Sequence, residues 1–270
     1  MASTAKEEQY VLGTHDEEIE RLGLQHRAWR PSVFTAWQAA GIREGHSVLD
    51  VGSGPGYAAL DLAETVGPRG RVIAIDKSER FLRALESARR ENICSHCVDL
   101  ETGKFPEVRA QRAWCRWVLS FVRNPREILA NVATALDAGG VVVLHEYLAY
   151  SMWRAVPPCP ELDEFVGAVM TSWRETGGEP DIARQLPRWL EELHFEIRQV
   201  RPIVNIVESD TMLWAWLRTF IEVGRRRLTE IGYLTPERSE EIWEAFNAFE
   251  AGPGSRMITP GVLEILARRK

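Results

Sequence analysis

Asp50, Gly52, Gly54, Gly56 and Asp76 are the residues of this chain whose types and spacing point most directly to chemistry. Val48-Leu49-Asp50-Val51-Gly52-Ser53-Gly54-Pro55-Gly56-Tyr57 reads as a buried strand running into a glycine-rich turn. Tyr57 to Ala63 continues as a helix whose N-terminus points back at that turn. Glycines at alternate positions remove side chains where the backbone bends sharply and where a ligand comes close to it. Such a strand–turn–helix binds a nucleotide-like ligand at the carboxyl edge of a parallel sheet. The dinucleotide fingerprint needs a further glycine where Tyr57 stands, so that match fails. Arg71 to Asp76 reads as the next strand, and its terminal acid is placed to accept hydrogen bonds from two ribose hydroxyls.

The elements around these residues alternate as an α/β chain. Strand one spans 47–52 and its helix 56–66; the turn Gly67-Pro68-Arg69-Gly70 leads into strand two, 71–76. Ser78 caps a helix to about Arg90, 93–100 forms strand three and 113–120 strand four. Asn124-Pro125 opens a helix that ends at the pair Gly139-Gly140, and 141–145 is an apolar fifth strand buried on both faces. Before the sheet, 16–29 reads as a helix with Ile19, Leu22 and His26 on one face, and Pro31 starts a second helix to Ala40. After Tyr147 the pattern turns helical over 161–175, 182–193, 212–229 and 239–249. Strand six is expected at 194–202 and strand seven at 261–267.

The acidic residue before G-x-G-x-G at Asp50 to Gly56, together with Asp76, resembles the cofactor site of class I S-adenosylmethionine-dependent methyltransferases. The segment Arg116-Trp117-Val118-Leu119 resembles the quinone-biosynthesis-like branch that methylates small molecules, as does Tyr10-Val11-Leu12-Gly13 with Glu20-Arg21-Leu22 and Gln25. The resemblance implies a Rossmann-like seven-stranded sheet whose last strand inserts antiparallel between strands five and six. It implies S-adenosylmethionine as cofactor and S-adenosylhomocysteine as product. Asp50 would sit near the amino acid end of the cofactor, Gly52, Ser53, Gly54 and Gly56 along it, and Asp76 with Lys77 at the ribose. Asp99 and the Leu100 backbone N–H would meet the adenine, and Cys115 and Arg116 the methionine part and methyl group. Tyr10 and Gln25 would fold over the methionine part. For some of these residues a plainer role stays open: a turn cap for Asp99, a structural charge for Arg116, a surface anchor for Tyr10.

The resemblance also implies an organisation in which residues 1–45 close over the cofactor. Residues 46–207 and 252–270 form the core, and 208–251 form a helical lid over the substrate. At the end of strand five, His145, Glu146 and Tyr147 are the candidates for chemistry. An acceptor must reach near-attack geometry, unsolvated and deprotonated, and a histidine or carboxylate there could take its proton. Alternatively Glu146 and Tyr147 only shape the pocket.

Composition narrows the partners. A net charge of -6 argues against a nucleic-acid substrate, which requires a basic surface. No run of about 18 apolar residues spans a membrane, and Met1 to Glu8 lacks the apolar core of a signal peptide, so a cytoplasmic protein is expected. Cys94-Ser95-His96-Cys97 is half a metal site without a second pair, so no metal is expected and reduced cysteines are the simpler reading. Six of the ten tryptophans lie in the C-terminal half, which suits a flat, apolar, small-molecule acceptor. A monomer and a homo-oligomer are equally compatible with the sequence. Two other classes remain: a nicotinamide oxidoreductase, disfavoured by Tyr57 and the lack of a Tyr-x-x-x-Lys pair, and a non-catalytic cofactor-binding module.

Overall fold

The computed structural model describes residues 16–270. Its first element, α1 (Asp16–Ala39), is one continuous helix with Pro31 inside it, not two helices. Proline removes a helical hydrogen bond and crowds the preceding turn. Here side-chain burial outweighs that cost: Trp29, Val33, Ala36 and Trp37 recur along one face and are all buried. Arg30 adds an ion pair to Asp61 at 2.7 Å.

Next come β1 (Ser47–Val51), α2 (Tyr57–Val66), β2 (Arg71–Asp76), α3 (Glu79–Glu86), β3 (Ile93–Cys97), β4 (Ala110–Arg116), α4 (Pro125–Ala135) and β5 (Leu136–Ala149). The pairs β1–β2, β1–β4, β2–β3 and β4–β5 are all parallel. With β7 (Phe195–Ile203) and β10 (Gly261–Arg269) they form a seven-stranded sheet in the order β3-β2-β1-β4-β5-β10-β7. The last strand therefore lies between the fifth and the sixth, as expected. A Cβ on Gly261 would meet the Ala149 carbonyl at the end of β5, and Arg268 approaches Gly139 near its start, so β10 runs antiparallel to β5. The central strands are buried along nearly their whole length, which is why they read as continuous apolar runs.

Two boundaries differ from expectation for local reasons. Helix α4 stops at Ala135, before the glycine pair, and the chain enters β5 directly. Gly139, at φ 77°, and Gly140 sit where the β4–β5 register shifts, so the pair makes a bulge, not a helix cap. Strand β4 ends at Arg116 because Trp117 takes φ 50° and the chain turns.

The chain divides into two compact units. One comprises Arg30–Glu146, Ile182–Arg201 and Leu263–Lys270, which hold most of the sheet and α6 (Leu186–Glu192). The other takes in Asp16–Trp29, Tyr147–Asp181 and Pro202–Val262. It contains α5 (Pro160–Glu175), α7 (Met212–Glu230), α8 (Pro236–Ala251) and an antiparallel sheet of β6 (Arg154–Val156), β9 (Arg256–Ile258) and β8 (Ile206–Glu208). Its tryptophans are mostly core: Trp153 packs edge-on against Phe165 and Phe220, and Trp214 stacks on Phe246 and Phe249. Among the described residues no helix is long and apolar enough to cross a membrane.

Candidate cofactor site

The glycine turn leaves β1 at its carboxyl edge and is tied to β2. The N–H groups of Gly52 and Ser53 both donate to the Ile75 carbonyl, at 2.8 and 3.0 Å. Gly52, Gly54 and Gly56 all have positive φ (68°, 55° and 90°), which a side-chain-bearing residue adopts only with strain. Their surroundings differ. A Cβ on Gly52 would lie 2.3 Å from Val118 Cγ2, and one on Gly56 2.4 Å from Leu85 Cδ1, whereas one on Gly54 would meet nothing within 4 Å. The first and third glycines are therefore packing contacts, and the middle one faces open space.

Asp76 closes the turn from the next strand. Its Oδ2 accepts from the Gly54 N–H at 2.8 Å and its Oδ1 from the Ser78 N–H at 2.9 Å. A carboxylate has about four acceptor positions, so Asp76 keeps capacity for a ribose hydroxyl beside its backbone donors. Burial raises the Asp76 pKa against the pull of these N–H groups. Asp50 is more deeply enclosed: burial pushes it up to about 7, which Arg116 opposes and Asp76 reinforces. Asp50 Oδ2 and Ser53 Oγ are buried without a protein partner. Orphaned acceptors beside an open glycine fit a ligand that carries N–H and O–H groups, as the aminoacyl and ribose ends of S-adenosylmethionine do.

The remaining expected contacts vary. Lys77 is exposed beside Asp76, and Leu100 is buried. Asp99 is exposed and caps its own turn, taking the Glu101 N–H at 3.0 Å and the Thr102 hydroxyl at 3.0 Å. Cys115 is buried at the end of β4, where burial raises its thiol. The Arg116 guanidinium lies 5.1 Å from the Trp117 ring centroid and 5.9 Å from that of Trp114.

At the end of β5 lie the candidates for proton removal. His145 is fully buried, and its Nε2 lies 3.0 Å from Glu264 Oε2. Burial lowers its pKa more than Glu264 raises it, with Arg116 and Arg201 adding to the lowering. Glu146 is also fully buried and takes N–H donors from Val118, Leu119 and Ser120 together with the Ser120 hydroxyl. Burial pushes its carboxyl up to about 7 against those donors. Both Glu146 carboxylate oxygens and His145 Nε2 are thus engaged by the protein, while His145 Nδ1 is buried without a partner.

Gln25 and Tyr147 belong to the other compact unit and have partners there. Gln25 Oε1 accepts from Arg21 Nη1 at 3.2 Å and Trp216 Nε1 at 3.1 Å. Arg21 is in turn held by Glu18 in a buried ion pair at 2.7 Å. Tyr147 packs edge-on against Tyr150, with ring centroids 4.8 Å apart. Tyr10 lies outside the described residues.

Sequence reasoning missed Glu264, a buried carboxylate of β10 that is bonded on both oxygens. Besides His145, it accepts from Arg201 at 2.9 and 2.8 Å and from Gln199 at 2.8 Å. The signal was available: a glutamate inside the apolar run Val262-Leu263-Glu264-Ile265 is expensive to bury unless paired.

Comparison with known proteins agrees with this geometry. Residues 48–140 match the model of the methyltransferase domain. The chain is 30% identical over 247 residues to an uncharacterized 37.1 kDa protein in transposon TN4556 of Streptomyces fradiae, covering 86% of this chain and 65% of that one. It is 28% identical over 163 residues to a ubiquinone/menaquinone biosynthesis C-methyltransferase of Cupriavidus necator, covering 58% and 64%. It is also 29% identical over 160 residues to the tRNA 5-carboxymethoxyuridine methyltransferase of Escherichia coli, covering 56% and 59%. The chain thus spans less than two thirds of the length of each of these curated relatives. Among solved structures, the YcgJ protein from Bacillus subtilis shares the fold with a TM-score of 0.59 at 17% identity, covering 89% of this chain and 99% of that one.

Proposed function

We propose that the chain, whose residues 48–140 match the methyltransferase domain, is a class I S-adenosylmethionine-dependent methyltransferase that moves the methyl group of S-adenosylmethionine to a small hydrophobic or aromatic acceptor. One observation carries the reading. The open glycine turn, the orphaned Asp50 Oδ2 and the Asp76 carboxylate converge on one carboxyl edge of the sheet. Bound there, the cofactor supplies a methyl group on a cationic sulfur, already a strong electrophile.

The chain's own residues then bind and orient. Asp76 takes the ribose hydroxyls, Asp50 the ammonium group, and the backbone of Gly52 to Gly56 lets the chain between them come close. Asp99 and the Leu100 N–H take the adenine, and Cys115 and Arg116 flank the methionine part. With an electrophile this strong, orientation of the acceptor and exclusion of water supply much of the rate. The reading therefore assigns His145 and Glu146 no proton to remove.

Likeness to a tRNA methyltransferase supports a second reading, an RNA acceptor. The net charge of -6 weighs against it, because phosphate binding draws on a basic surface. Calorimetric titration with S-adenosylmethionine, S-adenosylhomocysteine and NAD tests the cofactor. Micromolar binding of the two sulfur nucleotides alone is expected, and binding of NAD alone overturns the reading. Labelled methyl transfer to a panel of phenols and naphthols, run beside bulk tRNA, separates the two acceptor classes.

A further inference from the structure

Glu146 concentrates four donors on one buried carboxylate, all from the turn that follows β4. Oε1 accepts the N–H groups of Val118 and Leu119 at 2.8 and 2.9 Å. Oε2 accepts the Ser120 N–H at 3.3 Å and the Ser120 hydroxyl at 2.8 Å. The turn enters through Trp117 at φ 50°, a left-handed conformation that a tryptophan adopts only when its surroundings hold it there. The side chain in the middle of the turn is Val118, the one that occupies the space a Cβ on Gly52 would need. Gly52 is thus held from two sides: its N–H is bonded to Ile75 of β2, and its Cα faces Val118.

We propose that Glu146 is a positioning residue for cofactor binding: it holds the turn after β4 so that Val118 seats Gly52, which keeps the glycine turn in its binding shape before the ligand arrives. The inference rests on the cofactor reading above and adds a residue to it. A turn already in the bound shape spares the ligand the cost of ordering it, so loosening it appears as lost affinity. Glu146 reaches the cofactor through two other residues, so its effect belongs in binding and not in the methyl transfer step.

Three variants separate positioning from general stability. Glu146→Ala leaves the turn's donors without their acceptor and should raise the S-adenosylhomocysteine Kd by about 10- to 100-fold. Glu146→Gln keeps an oxygen for Val118 and Leu119 and should stay within about threefold of wild type, which is rescue by shape without charge. Val118→Ala leaves the Glu146 bonds to the backbone in place and should cost about three- to tenfold. Ile265→Ala, in the buried core of β10, controls for lost stability and should lower Tm without moving Kd. In the ligand-free protein, the Gly52 and Gly54 amide resonances should shift or broaden in Glu146→Ala and Val118→Ala but not in Ile265→Ala.

Wild-type Kd in Val118→Ala, or unmoved glycine resonances in both variants, overturns the inference. If Glu146→Ala does not fold, Glu146→Asp, which keeps the charge but shortens the reach to the turn, takes its place, and a wild-type Kd with unmoved glycine resonances there overturns the inference. A wild-type protein that binds no sulfur nucleotide defeats the cofactor reading instead, and the resonances still decide whether Glu146 shapes the turn.

Discussion

Replacing Glu264 removes a charge that the sheet has enclosed and then fully bonded. Burial alone would raise this carboxyl, but the bonds from His145 and Arg201 outweigh burial and hold it at about 2, against an ordinary 4.5. A depressed acid stabilises the fold above its unfolded pKa and loses that contribution as pH falls toward the folded value. At about 1.4 kcal/mol per pH unit, the gap between 4.5 and 2 corresponds to about 3 kcal/mol. Truncation adds a buried His145 Nε2 without a partner, about 1–3 kcal/mol, while Arg201, its side chain 41% exposed, can turn to water. Glu264→Ala should therefore cost about 4–6 kcal/mol at pH 7, read by urea denaturation. Glu264→Gln should cost less, and its deficit should shrink steadily between pH 4.5 and pH 2, where wild type loses its own advantage. Replacing His145 and Glu264 together by leucine should recover much of the loss, because an apolar pair leaves nothing buried and unpaired. An alanine variant costing under about 1 kcal/mol, or a glutamine deficit that ignores pH, would refute the reasoning.

The turn glycines make a contrasting pair. Gly56→Ala meets both a left-handed backbone and Leu85 at 2.4 Å, and should cost about 2–5 kcal/mol in thermal or urea unfolding. Gly54→Ala meets no side chain, so it should cost about 1 kcal/mol of stability yet weaken S-adenosylhomocysteine binding at least about tenfold, because its methyl enters the ligand's space. Asp50, held up at about 7 by burial, becomes a better partner for an ammonium group as it ionises. S-Adenosylmethionine affinity should rise between pH 6 and 8 in wild type and lose that slope in Asp50→Asn; an unchanged slope removes Asp50 from the site. Asp76→Ala should weaken cofactor binding by several-fold to about a hundredfold, since the ribose acceptors and the Gly54 tie go together.

What could be read from the sequence follows from how local each signal is. The turn from Asp50 to Gly56 and the strand ending at Asp76 are written in contiguous residues, as is the alternation of strands and helices around them; the seven-stranded order came only from the resemblance to class I methyltransferases. Boundaries set by distant partners were not legible. The end of β4 depends on Glu146, which comes 28 positions after Val118, and the Gly139-Gly140 bulge depends on the register with β4. Glu264 meets His145 across 119 positions of sequence. Pro31 misled for the same reason: a local helix breaker was overruled by buried side chains. The three-residue strands β6, β8 and β9 are too short for alternation to register at all.

The place of β10 bears on how the chain is assembled. Strand β7 lies at the sheet's margin with β10 as its one neighbour among the described residues, and β8, α7, α8 and β9 are all synthesised between the two. Until β10 emerges, β5 and β7 both present unpaired backbone, and β5 is the more apolar of the two. Unpaired strand edges recruit other chains as readily as their own. The nascent protein thus passes through an interval in which its sheet lies open down the middle. Early folding of the intervening helices shortens that exposure, by shrinking the span over which β10 has to return.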